Sequence, residues 1–125
     1  MSERIATQSR ESAQATDYHT DFRQGEEANT VLGLLADRDA RAILMATARE
    51  AVSVPELVTV CEIPTATAYR KVEALVDTGL LTKNIRIRPH GRNANEYQLR
   101  PRSISIDISE HGEPFITIAH AQDRD

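Results

Sequence analysis

The sequence predicts an α+β chain in which four short helices are followed by two β-hairpins, and three observations carry that reading. Between Glu26 and Asp77 apolar residues recur at helical spacing; after Gly79 they alternate one by one; and Ser53 with Glu56 forms the S-x-x-E signal that opens a helix. A chain of 125 residues with 40% apolar content can bury a real core as one compact unit. The expected organisation is a polar N-terminal arm over residues 1–24, a main domain over 25–103, and a C-terminal hairpin and tail over 104–125.

The first 24 residues are polar and carry few large apolar groups, which predicts a mobile arm or a weakly packed helix. Glu26 to Ala36 then places Ala28, Val31, Leu32 and Leu35 on one broad face. Asp37 suits the cap of a second helix, roughly 38 to 50, with Ala40, Ile43, Leu44 and Thr47 turned inward. The third helix starts at about Val54, after the Ser53 cap and with Pro55 in its first turn, where a missing N–H costs nothing. Its inward residues are expected to be Leu57, Val60 and Cys61, and the CEIP segment ends it, because the residue before a proline avoids the helical region. A fourth helix starts near Pro64 or Thr65. Ala68, Val72, Leu75 and Val76 form its buried stripe, Ala66, Arg70, Glu73 and Asp77 lie opposite, Thr67 and Tyr69 sit on the flanks, and Gly79 caps it.

Beyond Gly79, Ile85 and Ile87 alternate with Arg86 and Arg88. PHGRNANE makes a turn, and Tyr97 and Leu99 resume the apolar face against Gln98, Arg100 and Arg102. The segments SISIDIS and PFITIAH form the last hairpin. Ile104, Ile106 and Ile108 share one face of it and Ile116 and Ile118 one face of the return strand, so the apolar side must be covered by this domain or by a second subunit.

Two helices joined by a tight turn, the second followed by a basic hairpin, form a DNA-reading unit. Short side chains at the start of the fourth helix let it approach a major groove. Arg70 can pair with guanine, Thr65 and Thr67 can bond a base edge or a phosphate, and Ala66 can touch a thymine methyl. From Leu35 to Leu99 the chain resembles the winged helix-turn-helix regulators of the ArsR/MarR-like superfamily, most closely the small haloarchaeal ones. The resemblance rests on LADRDARAIL, with Arg41 in the place of the family's usual arginine, on PELVTVCEI as support helix, and on TATAYRKVEALVDTGLL as recognition helix and exit. It implies binding to double-stranded DNA as a homodimer on a pseudo-palindromic site. The candidate DNA-binding residues are Thr65, Ala66, Thr67, Tyr69, Arg70, Lys71 and Glu73 in the helix and Arg86, Arg88 and Arg92 in the wing. Arg92, near the tip, is suited to a narrow minor groove. The other class open to such a domain is a protein-interaction or RNA-binding module of the transcription or stress machinery.

Charge is divided along the chain. The total is −4, yet residues 65–103 carry eight basic side chains against three acidic, while the segments on either side are acidic. Positive charge is therefore concentrated where a phosphate backbone would lie. Thirteen arginines against two lysines, with acidic flanks, resemble proteins of high-salt cytoplasms, although a high-GC genome produces the same bias. At molar salt the Debye length falls to about 3 Å, and short-range contacts must then decide affinity.

Enzyme chemistry finds no support. His19, His90, His111 and His120 are scattered, there is no Gly-rich phosphate loop, and no catalytic triad or carboxylate pair stands out from solvated charge. No cofactor is expected, and no metal site: the metal-binding members of the resembled family carry paired cysteines in the support helix, where this chain has Cys61 alone. Cys61 reads as a core residue, with a redox-sensing thiol as the other reading. No apolar run approaches 18 residues and no signal-peptide core is visible, so a cytoplasmic protein without membrane contact is expected; the effector is not legible.

Overall fold

A computed structural model of the chain describes residues 18–91 and 93–121. In chain order these form β1 (Tyr18–Gln24), α1 (Gly25–Ala36), α2 (Arg38–Ala46), α3 (Val54–Cys61), α4 (Thr65–Asp77), β2 (Leu81–Arg86), β3 (Ala94–Leu99), β4 (Pro101–Ile108) and β5 (Pro114–Ala121). Two antiparallel sheets result, a β2–β3 ribbon and a three-stranded sheet in the order β1-β5-β4. Ala28 and Val31 of α1, Ala40 and Ile43 of α2, Leu57 of α3, Ala68, Val72 and Leu75 of α4, and Ile116 and Ile118 of β5 form one continuous core.

Local chemistry fixes most of the helix ends. Ser53 and Glu56 form the expected capping box: the Ser53 N–H donates to Glu56 Oε1 at 2.9 Å, and the Glu56 N–H donates to Ser53 Oγ at 3.4 Å. Asp37 caps α2 by accepting the Ala40 N–H at 2.8 Å. The chain leaves α4 through Gly79, whose φ of +86° only glycine adopts easily. Gly79 N–H donates to Val76 C=O at 3.0 Å and Leu80 N–H to Leu75 C=O at 2.9 Å, the pair of bonds that closes a Schellman end. Between α3 and α4 the turn passes through Glu62, held at φ +57° without being glycine.

Four expectations need correction. Residues 18–24, expected in a loose arm or helix, form β1, which is hydrogen-bonded along β5; the alternating YHTDFRQ segment gains a partner that lies a hundred residues away in sequence. The earlier part of the expected arm lies outside the described residues. The second helix stops at Ala46 rather than near residue 50, because buried Thr47 turns its hydroxyl back to the Ile43 carbonyl at 2.9 Å and gives its own carbonyl to the Leu99 N–H of β3 at 3.0 Å. Val60 is exposed, since α3 has only eight residues and buries the face of Val54 and Leu57. Finally, the wing strand ends at Leu99. Arg102 belongs to β4 in the other sheet, beside the register shift between Pro101 and Ser103.

The last hairpin covers its own domain. Ile104 pairs with Ile118 and Ile106 with Ile116 across β4 and β5, so the isoleucines share a face, and Ile116 and Ile118 are fully buried toward the helices. Ile106 and Ile108 run past the covered area and stay exposed. No helix of the described residues is long and apolar enough to cross a membrane.

Candidate nucleic-acid interface

The α4 helix shows one face to the core and the other to solvent. Ala68, Val72 and Leu75 are buried, whereas Thr65, Ala66, Tyr69, Arg70 and Glu73 are exposed and Thr67 and Lys71 are half-buried. Period 3.6 accounts for this division, and α3 supports the helix from behind through Leu57 and Val54. Five of the seven helix residues named from sequence thus share an accessible surface.

Lys71 is placed differently. Its ammonium lies 3.1 Å from Asp37 Oδ1, so it ties α4 to the start of α2. The Ala40 N–H and Lys71 together hold the Asp37 carboxyl below the usual carboxylate range.

The wing is rooted by Tyr97. Its backbone N–H and C=O both pair with Val52 at 2.9 Å, and its ring is buried. Burial pushes the Tyr97 phenol up, with Tyr69 and Glu73 adding to the shift and a hydrogen bond to Asn95 opposing it. Two hollows of about 400 and 410 Å³ lie between wing and helices, and Tyr69 and Tyr97 line both. Arg88 borders the first and Lys83 the second, so cationic groups stand on both sides of Tyr69.

Arg86 lies in an acidic setting. It pairs with Glu96 across the ribbon and approaches Glu56 of α3 to 4.0 Å, which joins wing to support helix. The Ser53 N–H and hydroxyl hold Glu56 below its ordinary carboxylate range, and the charges of Arg86 and Arg88 assist. Arg88 is exposed beyond the end of β2, while Arg92 falls outside the described residues. Ile85 pairs with Asn95 on the Tyr97 face, but it and Ile87 remain exposed.

Cys61 is half-buried at the end of α3. Burial pushes its thiol up and Asp39 pushes it further, the direction opposite to that of an activated thiolate. Arg41, singled out by resemblance, donates to the Leu35 carbonyl at the end of α1 at 3.0 Å.

Sequence reasoning missed the part of the site supplied by β1. Arg23 Nη2 donates to the Thr78 carbonyl at 2.9 Å, and so braces the C-terminal end of α4 from a strand more than fifty residues earlier. Only knowledge of the β1–β5 pairing would have revealed it, since nothing in the sequence around Arg23 points to α4.

Residues 35–84 match the family of helix-turn-helix domains, a span that takes in α2, α3, α4 and the start of the wing. No curated protein matches the chain. Among solved structures it is similar to an ArsR-like transcriptional regulator from Rhodococcus sp. RHA1, with 20% identity, a TM-score of 0.50 and coverage of 58% of this chain. It spans 62% of that regulator's length. It is also similar to HlyU from Vibrio cholerae N16961, with 22% identity, a TM-score of 0.46 and 58% and 74% of the two chains covered. NolR from Sinorhizobium fredii gives 15% identity, a TM-score of 0.48 and 79% and 81% coverage. At 20% identity the likeness to the Rhodococcus regulator is one of fold.

Proposed function

We propose that this chain, which matches helix-turn-helix domains over residues 35–84, is a winged helix-turn-helix transcription regulator of the ArsR type that binds DNA, has no catalytic activity and acts in the cytoplasm. The observation that carries this reading is the exposed face of α4. Thr65, Ala66, Tyr69 and Arg70 stand clear of the core on a helix supported by α3 and flanked by a cationic wing. In this reading α4 enters the major groove, where Arg70 is the long donor opposite the buried stripe and Ala66 and Thr65 permit close approach. Arg88, and Arg92 as read from the sequence, meet backbone or minor groove. Arg86, paired with Glu96, first sets the angle of the wing. Lys71 keeps α4 seated on α2 and reaches DNA only by leaving Asp37.

The protein acts as a homodimer on a pseudo-palindromic site. Support comes from apolar surface outside the cationic block. Ile106 and Ile108 are exposed on β4, an edge strand, and a hollow of about 330 Å³ is lined by Leu44, Met45, Ala48, Leu99, Pro101 and Ile104 among others. In a salty cytoplasm, as the arginine bias suggests, such burial strengthens while charge–charge attraction is screened.

Selection of bound duplexes from a random pool tests the function. A regulator enriches a site with two related half-sites, and sedimentation shows two chains per bound duplex. Failure to enrich any duplex, together with saturable binding to single-stranded RNA, would overturn the reading in favour of an RNA-binding module.

A further inference from the structure

The register of β1 on β5 brings together three residues that look unrelated in the sequence. His19 lies directly across from His120, and Asp21 opposite Ile118, so an i, i+2 pair on β1 and one residue of β5 share the inner face of the sheet. One ligating atom from each of His19, Asp21 and His120 lies within 4.8 Å of the others. A His120 ring nitrogen, Nε2, is 3.0 Å from Asp21 Oδ2, and His19 Nε2 is 3.7 Å from Asp21 Oδ1. The two imidazole centroids are 5.0 Å apart.

We propose that His19, Asp21 and His120 bind one divalent transition-metal ion of the zinc class, which fastens β1 to β5. Donors placed about 2.0–2.2 Å from a tetrahedral ion stand roughly 3.3–3.5 Å apart, so the observed separations need only small side-chain adjustments. Two imidazoles and one carboxylate suit zinc and its borderline neighbours. Calcium and magnesium ask for oxygen ligands, and copper(I) prefers sulfur. His19 is exposed and gives the ion an entry path, and three protein ligands leave a coordination position for water.

Burial holds the His120 ring in place. Its side chain is 2% exposed, and its Nδ1 is buried with no hydrogen-bond partner among the described residues. A histidine kept in a core only for its Asp21 hydrogen bond leaves half of its polar capacity unsatisfied, at a cost of desolvation. An ion bound through Nε2, the nitrogen that faces Asp21, leaves Nδ1 as it is; what burial contributes is a ring already held with Nε2 directed at the site.

The location gives the ion a structural consequence. Arg23 lies on the same strand face as Asp21, two residues on, and its guanidinium holds the Thr78 carbonyl at the end of α4. Clamping β1 to β5 therefore also fixes the strand that braces the recognition helix. The ion-binding claim does not depend on what α4 recognises.

The experiment is a zinc titration of the tag-free full chain in competition with a chromophoric chelator, with melting followed in parallel. The expected result is one ion per chain and a higher melting temperature with zinc. His19→Ala and Asp21→Asn should each weaken binding at least about tenfold and abolish the thermal shift, while His111→Ala, at an exposed histidine elsewhere, leaves both intact. The first two variants replace exposed or half-exposed groups, which keeps the test clear of the folding problem that His120→Ala would raise. Wild-type binding weaker than about 0.1 mM, or unchanged affinity in His19→Ala and Asp21→Asn, would overturn the proposal and leave Asp21 and His120 as a half-buried hydrogen-bonded pair.

Discussion

The two antiparallel sheets use the same device, isoleucine alternating with polar residues, and reach opposite outcomes. In β5, Ile116 and Ile118 are fully buried against α1 and complete the core. In the wing, Ile85 and Ile87 follow the same alternation and are more than half exposed. The difference lies in what stands opposite. A sheet face is buried only where another layer lies closely against it; the ribbon is packed at its root, through Leu81, Tyr97 and the bridge to Val52, and Ile85 and Ile87 stay exposed. One sheet thus completes the core with its isoleucines, and the other joins the core through Leu81 and Tyr97 while its isoleucines stay exposed.

The strongest way to break this contrast is to truncate both. Ile118→Ala should destabilise the protein by about 2–5 kcal/mol in urea unfolding, since it opens a cavity in the core. Ile87→Ala should change stability by less than about 0.5 kcal/mol. Similar losses for the two would mean that the wing packs against the body. At the junction between the regions, Gly79→Ala should cost about 1–3 kcal/mol. Its φ of +86° disfavours any side chain, and an added Cβ would lie 2.8 Å from Arg23 Nη2.

Smaller effects are expected at the caps. Ser53→Ala should cost about 1 kcal/mol by removing the capping box of α3. Asp37 and Glu56 are both held below their ordinary carboxylate values, so the stability they add is present at pH values above those of the unfolded groups, near 4, and is lost as pH falls through their folded values. Asp37→Asn should flatten the acid limb of a stability–pH profile, and an unchanged limb would show that its partners contribute nothing.

What the sequence reveals follows the range of the interactions. Ser53 and Glu56, the Gly79 exit and the Ala68–Val72–Leu75 stripe act over a few residues, and each was legible. The exposed face of α4 was legible for the same reason, because helical period assigns Arg70 and Ala66 to the side away from Leu75. Pairings across a hundred residues were not. The alternation in YHTDFRQ is too short to distinguish a strand from an arm until β5 lies beside it, and with β1 unrecognised, Arg23 at the end of α4 and the convergence of His19, Asp21 and His120 were out of reach. Isoleucine alternation gave the faces correctly at Ile85 and Ile87 but not their burial, which depends on a neighbouring layer.

The separate roles proposed for helix and wing are tested most directly by anisotropy of the full-length protein on its selected duplex and on an unrelated duplex, each over a range of salt. Arg70→Ala should lose about 1–3 kcal/mol on the selected duplex and little on the unrelated one. Arg88→Ala should weaken both by similar factors and lower the salt slope by about one. Equal losses on both duplexes for Arg70→Ala, or a changed base preference for Arg88→Ala, would contradict the assignment of α4 to base reading and of the wing to the backbone.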